Sequence, residues 1–121
     1  MAKKHKHCTN ASLSGTFGYH RSGTNHNAGI VTDIAAVGII TFDGSGGDIG
    51  HQDISRNGVF TLDSQGQGTY QVNSDCTFKL FLADGTDIAH GVIVDGGNEL
   101  YALSMTPGNA VILVAKKLRP K

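Results

Sequence analysis

A chain of 121 residues makes one domain, long enough to bury a core without a structural metal. With 39% hydrophobic and 17% charged residues, no Trp and two prolines, it is neither disordered nor a Pro-rich linker, and no apolar run approaches the ~18 residues of a membrane span. Net charge is zero but lopsided: Lys3, Lys4, Lys6, Lys116, Lys117, Arg119 and Lys121 place seven of the ten basic residues in the tails, and the body sets only Arg21, Arg56 and Lys79 against all ten acids, which argues against a nucleic-acid groove.

The start, Met1-Ala2-Lys3-Lys4-His5-Lys6-His7-Cys8, is basic and has no apolar h-region. It reads as a flexible arm over 1–8, ahead of one domain over 9–118 and a short tail over 119–121. Two imidazoles and a thiol lie within four residues, a donor set for a soft divalent metal. The neighbouring lysines repel cations, however, and a flexible arm fixes no ligand geometry. No metal and no cofactor is expected. Cys8 precedes the first strand and Cys76 opens a later one. The pair predicts a disulfide if the compartment is oxidising, and two unpaired thiols if it is cytosolic. The expected location is secreted or periplasmic with a leader removed, the alternative cytoplasmic.

Beyond the arm, turn signals recur: Asp43-Gly44 with Gly46-Gly47, Asn57-Gly58, Asp63-Ser64-Gln65-Gly66, Asp84-Gly85, Asp95-Gly96-Gly97 and Pro107-Gly108. Asn-Gly and Asp-Gly between alternating apolar residues mark hairpins, because a tight hairpin turn needs positive φ. The predicted strands lie near 13–22, 30–42, 47–56, 58–63 running raggedly on to 66–72, 76–83, 87–95, 99–106 and 110–118. The polar stretch 22–29 is expected to be a loop folded over one mouth. No apolar spacing of helical period persists over three turns, so no substantial helix is expected. Eight sequential hairpin-linked strands solve their edge problem by closing, so the predicted fold is all-β, an up-and-down barrel, with a β-sandwich as the alternative.

Alternation assigns the inner face. Leu13, Phe17 and Tyr19 point in on the first strand, Tyr70 and Val72 on the fourth, and Phe78, Leu80 and Leu82 on the fifth. On the sixth, Ile88, His90, Val92 and Val94 form the apolar set and carry His90 inside. The last two strands are apolar on both faces, which predicts cover by a second subunit, most simply a homodimer.

No P-loop, dinucleotide fingerprint, nucleophile elbow, Cys-x-x-Cys or His-Glu-x-x-His is present. His90 is either a structural hydrogen-bond partner or a poised acid–base or ligand contact, with Tyr19 and Tyr70 able to join it. His90 and Tyr70 are the catalytic candidates. His51 and Asp53 share one strand face, as an imidazole–carboxylate pair would. Ile54 competes for the core, so both equally face water, with Arg56 as a surface partner.

Leu13-Ser14-Gly15-Thr16-Phe17-Gly18, then Ala36-Val37-Gly38-Ile39-Ile40-Thr41-Phe42-Asp43-Gly44-Ser45-Gly46-Gly47, then Gly68-Thr69-Tyr70-Gln71-Val72-Asn73-Ser74-Asp75-Cys76-Thr77 follow in one order. In these motifs the chain resembles a group of bacterial, often exported, small β-barrel proteins without assigned activity. The resemblance spans roughly 13–106, and the Cys pattern of that group fits Cys8 and Cys76. At the level of fold the meander is similar to lipocalin-like and allene oxide cyclase-like barrels, which implies a lumen for a small apolar molecule. The expected function is therefore binding of a small, largely apolar ligand by Phe17, Tyr19, Tyr70, Phe78, Leu80, His90 and Val92. The alternatives are a cyclase or isomerase using the same cavity, and a structural or adhesive domain with a filled core.

Overall fold

Hairpin after hairpin, each strand of this chain bonds to the next, and the last returns to the first. The computed structural model describes residues 7–119. Its strands are β1 (Ser14–Asn27), β2 (Ile30–Asp43), β3 (Gly47–Arg56), β4 (Val59–Val72), β5 (Thr77–Leu82), β6 (Asp87–Val94), β7 (Glu99–Ser104) and β8 (Asn109–Lys117). They form one closed antiparallel barrel, which β1 and β8 seal in a register running from Phe17 opposite Lys117 to Asn25 opposite Asn109. Among the described residues the only helical segments are two 3-10 turns, Asn10–Ser12 and Asp95–Gly97, and no helix is long and apolar enough to cross a membrane.

The strands are strongly inclined. A bonded row that starts at Tyr70 runs through Leu80, Ala89 and Ser104. Val111 lies one position beyond the last β7–β8 pair, Leu103 opposite Ile112, and from it the row continues through Gly23 and Ile34 and returns to β3 at Arg56. Yet the Tyr70 amide itself bonds to the Gly46 carbonyl at the other end of that hairpin. This stagger is what tilts strands in a barrel. It also carries the end of β3 far past the aromatic core.

That core plugs one end. Leu13, Phe17, Phe42, Tyr70, Phe78, Leu100 and Ala115 are almost fully buried there. Phe42 stands edge-on to both Phe17 and Tyr70, with ring centroids 5.5 and 5.1 Å apart, the arrangement that the ring quadrupoles favour. The chain ahead of β1 completes the plug. The Tyr70 hydroxyl donates to the carbonyls of Leu13 (2.7 Å) and Asn10 (3.1 Å), and Asn10 Oδ1 accepts the Val72 amide at 2.8 Å. Cys8 is disulfide-bonded to Cys76, Cα atoms 5.0 Å apart, and its amide donates to the Ser74 carbonyl. His5 and Lys6 lie outside the described residues.

Three expectations need correction. Residues 22–27 are not a loop: they continue β1, paired to β2 throughout and to β8 as far as Asn25. The reversal is a tight turn at Ala28 and Gly29, both at positive φ. The polar side chains that suggested a loop stand where a polar mouth needs them. Second, Asp63-Ser64-Gln65-Gly66 makes no turn: β4 runs unbroken through it, and the raggedness expected there is a register shift opposite the segment between Gln52 and Ile54, with Asp63 at positive φ, as a bulge does. Third, β6 is turned over by one residue. Ile93 is buried (8% exposed), whereas Val92 is 37% exposed, and His90 and Val92 line a groove on the outside of the barrel. The inward set is Ala89, Gly91 and Ile93 because the Phe78 ring already fills the space: a Cβ on Gly91 would collide with that ring.

Candidate functional site

The end opposite the plug is open. A cavity of about 690 Å³ occupies it, within the ~300–1,000 Å³ typical of small-molecule pockets. Its apolar wall includes Ile34, Ile40, Leu80, Ala102, Val111 and Leu113. Polar groups join that wall where strand alternation turns them inward. On β1 these are Tyr19, Arg21 and Asn25; on β3 they are Asp48, Gln52 and Arg56, and His51 also borders the cavity; Ser104 and Asn109 come from β7 and β8.

Gln52 organises this set. Its Oε1 accepts both the Tyr19 hydroxyl at 2.9 Å and Arg21 Nε at 3.1 Å. Tyr19 can lie across the wall because its partner on β2 is Gly38; a Cβ there would come within 2.8 Å of the phenol carbon and oxygen. Nearer the rim, Asn25 Nδ2 donates to Asn109 Oδ1 at 2.7 Å and ties β1 to β8. Burial holds the Arg21 guanidinium below its usual pKa, with the Tyr19 phenol opposing that shift and the Arg56 charge adding to it. Burial likewise raises the Tyr19 phenol, against the pull of Arg21.

Among the described residues Asp48 is the single carboxylate on this wall. It is half-buried, and its Oδ2 has no hydrogen-bond partner among the described residues. Burial, helped by the charge of Asp43, pushes its carboxyl up to about 6. Asp43 itself goes the other way. Its Oδ1 accepts the amides of Ser45, Gly46 and Gly47 at 2.7–3.1 Å, and those bonds hold its carboxyl below the ordinary range.

Of the seven residues expected to contact a ligand, Tyr19 and Leu80 line the cavity. Phe17, Phe78 and Tyr70 belong to the filled end. His90 and Val92 face outward, and His90 Nε2 meets Asp87 Oδ2 at 2.6 Å. Neither catalytic candidate, His90 or Tyr70, is among the cavity-lining residues. His51 and Asp53 do share a face, but His51 Nδ1 approaches Asp63 (3.5 Å), while Asp53 Oδ1 accepts the Asp63 amide. Arg56, expected at the outer surface, lines the cavity. Sequence reasoning missed Arg21, Gln52 and Arg56 as a set. The available signal was parity: Gln52 and Arg56 lie two residues either side of Ile54, and Arg21 lies two beyond Tyr19.

No group of three or more potential metal-ligating side chains occurs among the described residues. No protein-family model, curated protein or solved structure matches the chain.

Proposed function

We propose that this protein is a lipocalin-like binding module that holds a small, largely apolar molecule in the open half of its barrel. The observation that carries the reading is the division of the lumen: aromatic side chains fill one end, and the other keeps a cavity of about 690 Å³. An eight-stranded barrel has room either for its own side chains or for one small ligand. Here the bulky inward residues cluster at the plugged end, so a ligand has one entrance and a floor.

Titration of the disulfide-intact protein with the apolar fluorophore N-phenyl-1-naphthylamine tests this. Saturable binding is expected, and Leu80→Trp, which places an indole in the cavity, should abolish it without lowering the melting temperature. No saturable binding, or binding untouched by Leu80→Trp, would sink the proposal.

Two further features belong to it. A second copy of the chain covers the outer face of β6–β8. What supports this is that Val92, Tyr101, Leu103 and Ile112 stand exposed as neighbours on paired strands, an apolar patch that water does not favour. A monomer by native mass spectrometry at micromolar concentration would remove it. Export to an oxidising compartment is supported by the Cys8–Cys76 bridge.

A further inference from the structure

We propose that the ligand of the lumen carries an anionic group, a carboxylate in the simplest case, which Arg21 and Arg56 bind at the mouth while the apolar wall receives the rest of the molecule. The inference rests on the lumen reading above and adds the chemical class of the ligand.

Three observations carry it. Both guanidiniums line the cavity, one from β1 and one from the end of β3. They are two of only three basic residues between the tails, in a body that holds ten acids. Yet among the described residues the only pairs within salt-bridge distance involve His51 and His90, so neither arginine has a carboxylate partner there. The half-buried Arg21 cation without a counter-ion is unfavourable, and the like charge of Arg56 facing the same space makes it more so. An anion between them relieves both.

Arg21 is also already oriented. Its Nε is spent on Gln52 Oε1, whose second donor is the Tyr19 hydroxyl. That bond fixes the plane of the guanidinium and leaves its terminal nitrogens without a protein acceptor among the described residues. A guanidinium held in this way presents the parallel N–H pair that a carboxylate accepts in bidentate fashion. Two guanidiniums against the one Asp48 carboxylate leave the wall cationic. The apolar residues below the mouth, Leu80, Val111 and Leu113, face away from water and suit a hydrocarbon body.

The test uses two probes with the same body and different heads: cis-parinaric acid and its methyl ester, titrated by fluorescence into the disulfide-intact full chain. In the wild type the acid should bind at least roughly tenfold tighter than the ester, the scale of one or two charge-assisted hydrogen bonds in a partly water-excluded mouth. Arg21→Gln and Arg56→Gln should each erase most of that preference, weakening the acid far more than the ester. Added salt should weaken the acid alone. Arg56, exposed at the rim, supplies the informative variant if Arg21→Gln fails to fold, and Arg56→Lys should restore part of the preference. If acid and ester bind alike in the wild type, or if the glutamine variants weaken both equally, the anion inference is overturned and the lumen reading stands. If neither probe binds, the lumen reading falls and takes this inference with it.

Discussion

Asp48→Asn should make this protein more stable, and only above the pH at which the native carboxyl ionises. Asp48 sits half-buried on the cavity wall with Oδ2 unpaired, and burial raises its pKa from 3.8 to about 6. Because the folded value lies above the unfolded one, the native state holds the proton more tightly. The stability that this confers is complete below about pH 4 and is lost as pH rises through about 6. Linkage sets the ceiling at about 3 kcal/mol for that difference, at 1.36 kcal/mol per pH unit, and solvent screening at an open-mouthed site reduces it to roughly 1–2 kcal/mol. The amide of the variant cannot ionise, so it escapes the loss while keeping nearly the same shape. Urea unfolding of both proteins between about pH 4 and pH 8 reads the difference directly. The variant should gain roughly 1–2 kcal/mol on the wild type between those limits, with nearly equal values at the acid end. Asp43, Asp75 and Asp84, whose carboxyls are held low by hydrogen bonds, lose their contribution as pH falls below the ordinary carboxylate range. They are common to both proteins and cancel. A difference that stays flat with pH, or a variant less stable at about pH 8, would refute the argument that burial strains this carboxylate.

Other outcomes follow from the same contacts. Reducing the Cys8–Cys76 bridge, which closes a separation of 68 residues, should cost roughly 4 kcal/mol in the chain-entropy model; the denatured, unreduced protein should titrate no free thiol. Tyr70→Phe removes the hydroxyl that holds Leu13 and Asn10, and thermal or urea unfolding should report a loss of about 1–2 kcal/mol with probe binding in the cavity unchanged. Gly91→Ala forces a methyl group against the Phe78 ring and should destabilise by about 1–3 kcal/mol, with folded yield falling before any change in ligand preference. His90→Phe alters only the outer face of β6, so it should leave cavity binding intact; weakened binding would mean that the outer groove communicates with the lumen.

Strand positions and closure were legible because turn chemistry is local. Asp43-Gly44, Asn57-Gly58, Asp84-Gly85 and Pro107-Gly108 all fall between paired strands, and positive φ at Gly44, Asn57, Gly58, Gly85 and Gly108 is what those residues supply. Among the hairpin turns outside that set, Ala28-Gly29 spends its first positive φ on an alanine, which carries no local signal. The plug was half legible. Phe17, Tyr70 and Phe78 were assigned inward and are inward, but nothing in alternation says which inward residues pack on one another and which face empty space. That division depends on barrel stagger, a property of all eight strands together.

The misreading of β6 shows where hydrophobicity stops being a guide to direction. Both faces of that strand are apolar: Ile88, Val92 and Val94 on one, Ala89, Gly91 and Ile93 on the other. Choosing the bulkier set as the inner one assumes that the inside has room for bulk. Here Phe78 from β5 already occupies the volume across from Gly91, so the smaller set is the one that fits there, and His90 and Val92 are left on the outside beside Tyr101 and Leu103. The same substitution of volume for polarity hid the cavity. Arg21, Gln52 and Arg56 look like surface residues if every inward position must be apolar. They are inward because the open half of the barrel is not packed by its own side chains, and polar groups can point into space that a packed core would deny them. A charged residue in phase with a buried one, as Arg56 is with Ile54 and Arg21 with Phe17, therefore marks where along a barrel strand the filled lumen ends and the cavity begins.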